Sequence, residues 1–392
     1  MSFAEEGRSS RAGRAGNAGC RMILLASLAM LCSFSLCAHD GIGNADTVRV
    51  RQPLKFNGRW PASPLYAADA SIRFEDTLGV VHRIGRLTDK NGAPEGYVSH
   101  IETPVCSDTL CNLMDIRMFW SLSGSYWGYD TIPRKPLTKN DHIKFNEKDY
   151  EKLHELLMDE QSILRRRHKD DLFDKEAKRV SNVVDAVTGA TAKEVKEAVV
   201  DGAVYSSYTI YHLVHSQLAA VIRDDVRKNL LPGLAEKLIN SERADERIFL
   251  IKELEAGQLP AYTGKMIETI PMAIPIDRLY IMKKLPSASW NRKDVQVPVA
   301  EMAELLDIHS LSHFLNQLKA ADTLHIECLR KLSERLPYFS VNQVRTYLSL
   351  LERDPEFLKD PAIVKAVKET AAGPGYQYRS YLESFLAKNQ LQ

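Results

Sequence analysis

VVDAVTGATAKEV, residues 183–195, decides how the chain is read. Asp185, Thr188, Gly189, Ala190 and Thr191 stand together just before a helical pattern that runs from 192 to 217. A helix cap accounts for part of this. Thr191 with Glu194 has the capping-box spacing, in which the hydroxyl accepts from an orphan N–H and the carboxylate reaches back. Gly189 then supplies the turn, and Asp185, Thr188 and Ala190 are left without a role. A phosphate attachment site uses more of the stretch. The first turn of a helix presents free N–H groups and the positive end of its dipole, both of which favour phosphate. A threonine hydroxyl there can form a phosphoester, and a glycine lets the backbone approach closely.

Upstream of this stretch the pattern changes. Residues 39–70 are polar and irregular, a linker or an edge segment. From 71 to about 130 the sequence reads as strands broken by turns. ASIRFEDTLGVVHRIGRL (70–87) and YVSHIETPV (97–105) alternate, and DKNGAPEG (89–96) between them is turn chemistry. FWSLSGSYWGYDTIPRKPL (119–137), rich in aromatics, Gly and Pro, reads as a long loop. Residues 147–168 read as an amphipathic helix with Tyr150, Leu153, Leu156, Leu157 and Ile163 on one side. ILRRRHKDDLFDKEAKR (163–179) is charged and mostly solvated.

Downstream, from 218 to 392, apolar patterns of helix length follow one another. They are divided by breaks such as NLLPG (229–233), KLPSASW (284–290) and RLPYFS (335–340). Strand-like stretches almost vanish. Stacked helix pairs, an α-solenoid of the HEAT kind, fit this; so does an irregular bundle, since no clean repeat period emerges. Either serves as scaffold or contact surface.

Length and composition bound these readings. With 392 residues, the chain has room for two domains, or for one domain and a repeat array. Its 44% apolar and 26% charged content is ordinary for a globular protein with a buried core. A net charge of +1 argues against nucleic acid as a partner. Residues 1–38 look like an export signal. Arg8, Arg11, Arg14 and Arg21 precede the 15-residue apolar run MILLASLAMLCSFSL (22–36), and Ala38 offers a cleavage site. That run is shorter than the roughly 20 residues of a spanning helix, yet an uncleaved anchor is the alternative. A lipid-modified Cys37 fits less well, because Leu36 stands where a small residue is wanted.

Cleavage leaves Cys106, Cys111 and Cys328. Outside the cytoplasm, Cys106 and Cys111 in PVCSDTLCNLM can close a small disulfide loop; otherwise they are free thiols. Zinc would need further ligands, and no Cys-x-x-Cys-His for haem attachment is present. Cys328, on an apolar helical face, reads as a buried small hydrophobe.

DAVTGAT (185–191) resembles the flavinylation motif Asp-x-x-(Ser/Thr)-Gly-Ala-Thr of the FMN-binding domain family. That family includes the flavinylated subunits of the sodium-translocating NADH:quinone oxidoreductase and of the Rnf electron-transfer complex. The resemblance implies an α+β FMN-binding domain over 71–217; the all-α, helical-repeat-like domain expected over 218–392 rests on its helix-length apolar patterns alone. The resemblance also implies FMN on Thr191 through a phosphoester, with Asp185, Thr188, Gly189 and Ala190 as recognition sequence. Attachment would be made outside the cytoplasm by a magnesium-dependent flavin transferase using FAD, and the partners would be redox proteins, soluble or membrane-bound. IETPVC (101–106) is similar to the family's Glu-Thr-Pro segment, with Val105 where a glycine is common. The helical region has no counterpart in those subunits. The export signal agrees independently, since a covalent link keeps a cofactor where diffusion would lose it.

A flavin ring wants a flat apolar neighbour and a few hydrogen-bond donors. Phe119, Trp120, Tyr126, Trp127 and Tyr129 crowd one segment and either stack on the ring or fill the core. Thr138, Lys139 and His142, in PLTKNDHIKF (136–145), can donate to ring or phosphate, whereas Asp141 is more plainly a helix cap. His212 and His215 share a helix face and are either satisfied core or rim histidines, or a pair that binds a metal or relays protons to the flavin. His309 and His313 lack the glutamate of a zinc-protease helix and read as structural. No substrate group is nameable, so an electron carrier and a reductase of a small acceptor both fit. A binding scaffold that has lost its flavin is the third possibility.

Overall fold

The structure, a computed structural model, describes residues 48–67, 72–76, 79–104, 113–139, 142–172 and 193–391. The alternating stretches of 71–105 form a hairpin. Strands β5 (Val81–Thr88) and β6 (Pro94–Thr103) pair antiparallel with Ile84 opposite Ser99. The turn between them is fastened by Asp89, whose Oδ1 accepts from the backbone N–H groups of Asn91 and Ala93. Strand β4 (Ile72–Glu75) pairs the first half of β5, and β3 (Leu65–Ala67) pairs its end.

The segment 119–137 is not the long loop its composition suggests. β7 (Met114–Trp120) and β8 (Tyr126–Thr131) form a second hairpin joined by Ser121–Ser125. Aromatic side chains suit a pleated half-buried surface, and the Ser-Gly-Ser composition belongs only to the turn. Of residues 39–70, the described part, 48–67, supplies edge strands. β1 (Val48–Val50) closes one margin of the sheet and β2 (Lys55–Phe56) the other, in the order β1-β3-β5-β6-β7-β8-β2. β2 approaches so closely that a Cβ on Gly128 would lie 2.4 Å from the Lys55 carbonyl oxygen.

Alternation gives this curled sheet two apolar faces. Ile84, Ile101, Ile116, Met118 and Trp120 are closed against the helices. Leu65, Leu87, Val98, Phe119 and Trp127 make a smaller cluster on the other face, with Trp60 stacked on Trp127 at 4.8 Å. Each fully buried large side chain contributes about 2 kcal/mol, so both faces hold the sheet.

The helices begin with α1 (Glu147–Met158), capped reciprocally by Asn146 and Asp149. It stops ten residues short of the expected end. Asp159 turns the chain, its carboxylate accepting from Gln161 N, and Ser162 opens a short 3-10 turn, Ile163–Arg166. The pattern expected over 192–217 is likewise divided. Helix α2 (Lys193–Ala198) ends before a turn at Asp201–Gly202, where Gly202 has φ +71. Helix α3 (Val204–His212) then passes through a π turn, Leu213–Gln217, into α4 (Leu218–Lys228). The expected domain boundary at 217/218 thus falls inside one helical run.

That run joins the two regions. Trp120 Nε1 donates to the Val214 carbonyl at 3.1 Å. Asp225 on α4 accepts from Arg86 at 2.9 and 2.5 Å and from Tyr97 at 2.8 Å, which ties α4 to β5 and β6. A single apolar core continues from Ile84 in the sheet to Phe385 near the end of the chain, and Ala45–Gln392 form one compact unit.

Beyond α4 the described chain is helical: α5 (Pro232–Ile239), α6 (Ala244–Glu253), α7 (Leu259–Thr269), α8 (Pro275–Lys284), α9 (Lys293–Glu301), α10 (Ile308–Ala320), α11 (Ile326–Ser333), α12 (Val341–Leu351), α13 (Pro355–Lys359), α14 (Pro361–Ala372) and α15 (Arg379–Lys388). Alternate helices touch. One row runs α7-α9-α11-α14 and the other α6-α8-α10-α12-α15. The 3-10 turns Ile270–Met272, Ala303–Leu305 and Leu336–Tyr338 begin 33 residues apart. In each, the first residue is buried, the third is exposed and the next (Ala273, Leu306, Phe339) is buried again. The sequence conceals this period because burial recurs while residue identity does not. None of these helices is long and apolar enough to cross a membrane.

Candidate functional site

The motif residues Asp185, Thr188, Gly189, Ala190 and Thr191, with Cys106 and Cys111, lie outside the described residues, as does Asp141. The chain is described again from Lys193, where α2 begins. Glu194 on that helix pairs with Arg167 at 2.7 Å.

The aromatic candidates belong to the interior. Trp120 is fully buried with its indole N–H satisfied by Val214, and the Tyr126 hydroxyl meets His154 Nδ1 at 2.7 Å. Tyr129 donates to the Tyr150 carbonyl, while Phe119 and Trp127 sit on the other face of the sheet. Lys139 pairs with Asp149 at 2.7 Å and packs against Gly202, and Thr138 forms an isolated bridge with Lys144. His142 is exposed with φ 57. Of the later candidates, His309 is exposed and His313 is half-buried with its Nε2 unpartnered. Cys328 is a buried free thiol, pushed well above its ordinary pKa by burial.

His212 and His215 are different, because both line a cleft of about 770 Å³ between the sheet and the helical array. Its wall on the sheet side is the β7–β8 turn. Gly124 there has φ +72, and a Cβ would meet the Ala219 carbonyl at 2.8 Å and the Arg223 side chain at 3.1 Å. Only glycine lets the turn press this closely on α4 and cover the stem of Arg223. The π turn forms the floor. Such turns aim side chains off the regular helical path and recur at functional sites. His212 Nε2 meets the Leu164 carbonyl at 3.0 Å, and the Tyr211 hydroxyl donates to the Asp159 carbonyl. The His215 ring lies 4.5 Å from that of Tyr211, and its Nε2 is buried without a partner. Burial pushes His215 down to about 4, against the pull of the Leu157 backbone and Asp159, so the ring is neutral near pH 7.

Charges around the cleft are mostly matched. Arg227 pairs with Glu253 at 2.9 Å, Lys252 with Asp277 at 2.9 Å, and Asp245 accepts from Ser121 and Ser123. Among the described residues the Arg165 guanidinium bonds to the Gln161 side chain. Arg223 has no hydrogen-bond or ion-pair partner among the described residues; burial lowers its pKa, and the charge of Glu160 opposes that. Sequence reasoning named the two histidines but not Arg165, Arg223 or Gly124. Arg223 stands two helical turns after His215, a spacing that an exposed helix face shares, so the signal was weak.

Among the described residues no group of His, Cys, Asp and Glu is placed to hold a metal ion. Comparison with protein-family models, with curated proteins and with solved structures finds no match to this chain.

Proposed function

We propose that the chain is an extracytoplasmic flavoprotein that carries FMN covalently on Thr191 and passes electrons between redox partners. The observation that carries this is the string Asp185-x-x-Thr188-Gly189-Ala190-Thr191 directly ahead of α2. In attachment, the Thr191 hydroxyl displaces AMP from FAD. One P–O bond forms, the phosphoanhydride breaks, and the hydroxyl proton leaves with AMP or to solvent. When bound, the flavin supplies one- or two-electron transfer.

The described residues beside α2 fit a phosphate-bearing group. Lys193 opens the helix, and Arg167 lies against it through Glu194. That pairing engages the Glu194 carboxylate, which weighs against a plain capping box with Thr191. Trp120, Tyr126 and Lys139 have partners inside the protein and are left out of the proposed site. We read the region up to about 217 as the FMN-binding domain. The array after it is HEAT-like, on the strength of its alternate-helix packing and 33-residue spacing.

A flavin transferase and redox proteins, soluble or membrane-bound, are the partners this reading requires. A yellow chromophore that survives denaturation and acid precipitation, after co-expression with such a transferase, is the expected result. Colourless protein would favour the second reading, a binding scaffold. The recurring exposed positions Met272, Leu305 and Tyr338 on the array support that alternative. Steady-state reduction of a small acceptor with no protein partner would favour a reductase over a carrier.

A further inference from the structure

The helical array leaves apolar side chains uncovered along one edge. Met272, Leu305 and Tyr338, the third residues of the three 3-10 turns, are 39%, 45% and 73% exposed. The helices that follow, α8, α10 and α12, begin 33 residues apart at Pro275, Ile308 and Val341. Pro275 and Ile308 are exposed and Val341 is half-buried. Ile274 and Ile276 add 53% and 74% exposure beside the first turn. One exposed apolar side chain is ordinary in a folded protein. The same two positions kept apolar and open through three successive units are not, because a turn between helices is otherwise free to be polar.

These positions form one continuous row. α8 packs on α10 and α10 on α12, at the spacing of roughly 9 Å that helix pairs adopt. Arg278 of α8 donates to the carbonyls of Ala273 and Leu305, which ties the first turn to the second. Gln343 of α12 donates to the Ile308 carbonyl at 3.1 Å, and Arg335 pairs with Glu304 at 4.0 Å, which ties the second to the third. Arg335 also lies 4.4 Å over the Tyr338 ring and holds it in place. The row exposes on the order of 600 Å² of apolar surface, the upper end of what a monomer leaves open.

We propose that a second copy of this chain covers the row, giving a two-fold symmetric dimer. Covering it on both copies buries on the order of 1,200 Å² of apolar surface before any polar rim is counted, which reaches the size of a specific interface. Acidic groups stand beside the row at Asp277, Glu304 and Asp307, and they disfavour an anionic lipid surface. Each of the three is also engaged within its own chain, by Lys252, by Arg335 and by the first turn of α10, so none of them selects a basic partner. Selection is left to the apolar row, and the same row on a second copy matches it in length, spacing and chemistry. Its middle lies at Leu305 and Ile308. A two-fold axis there sets the Met272 end of one copy against the Tyr338 end of the other. The row is remote in sequence from Thr191, and the test does not use flavin colour.

Sedimentation equilibrium of the full chain is expected to show the mass rising from one chain to two as concentration increases. Ile276→Asp and Ile308→Asp place a carboxylate in the first turn of a helix, where the dipole favours it, so each variant should keep the fold. Each should raise the dissociation constant about tenfold or more, as loss of a central apolar contact requires. Leu231→Asp, at a position 71% exposed but outside the row, should leave the association unchanged. A second measurement needs no variant: amide exchange of the unaltered chain should slow over residues 303–309 as its concentration rises. The mass of one chain at every concentration would overturn the proposal. So would equal association by the folded Ile276→Asp and Ile308→Asp proteins, or exchange over 303–309 that ignores concentration. A monomer that sediments with phosphatidylglycerol-containing vesicles, and loses this in Ile276→Asp, would assign the row to a lipid surface instead.

Discussion

Single side chains carry two kinds of consequence here, one electrostatic and one covalent. His215 is held at about 4, against an ordinary value of 6.5. The unfolded chain therefore takes up a proton as pH falls through 6.5, while the native state resists until about 4. Native stability drops across that window, by roughly 3 kcal/mol from this residue. The Tyr211 ring, His212, Asp159 and Arg165 are the neighbouring groups that act on it. His215→Gln should remove most of that loss from the difference in urea unfolding free energy between neutral pH and about pH 4. An unchanged difference would show that the ring is not buried neutral. Covalently, Cys106 and Cys111 should resist alkylation in native protein until a reductant is added, and ready labelling of the unreduced protein would rule out the bridge. Cys328 should stay unlabelled in either state while the fold persists, because it is buried. Cys328 was legible from its apolar helical face. Arg165 and Arg223 were not, because they come from separate elements and meet only in the folded chain.

At the scale of elements, α4 is the piece that fastens the helical array to the sheet. Asp225 receives a forked arginine and a tyrosine from two neighbouring strands, and its carboxyl is held below the usual range by Arg86 and Tyr97 despite partial burial. Asp225→Ala leaves Arg86 and Tyr97 without their acceptor and should lower unfolding stability by about 2 kcal/mol in denaturant titrations. A change under about 0.5 kcal/mol, the size of an ordinary surface substitution, would contradict this joint. The hairpin β5–β6 was legible because two loosely alternating stretches flank the plain turn chemistry of DKNGAPEG. The hairpin β7–β8 was hidden because its strands are aromatic and its turn supplies the Gly and Ser that mark loops. The end of α1 was overestimated because apolar spacing continues to Ile163, while Asp159 and Ser162 divert the backbone before it. The array was legible as helices but not as a repeat. Ile270, Ala303 and Leu336 occupy one buried position with three different side chains, so only packing reveals their equivalence.

For the whole molecule, the account joins an antiparallel sheet and a helical array through one core, with a cleft where they meet. The attachment of FMN to Thr191 is the claim on which the functional reading stands. It predicts a maturation step, an exported location and a chromophore that dilution does not remove. Sequence carried this claim through five residues of one seven-residue string, and the core, the joint and the cleft became visible only in three dimensions. The most direct test is the intact mass of protein co-expressed with a flavin transferase, beside that of Thr191→Ala. The account predicts an added mass of FMN less one water on the unaltered chain and none on the variant. An unmodified mass on the former, or an adduct that persists on the latter, would contradict it.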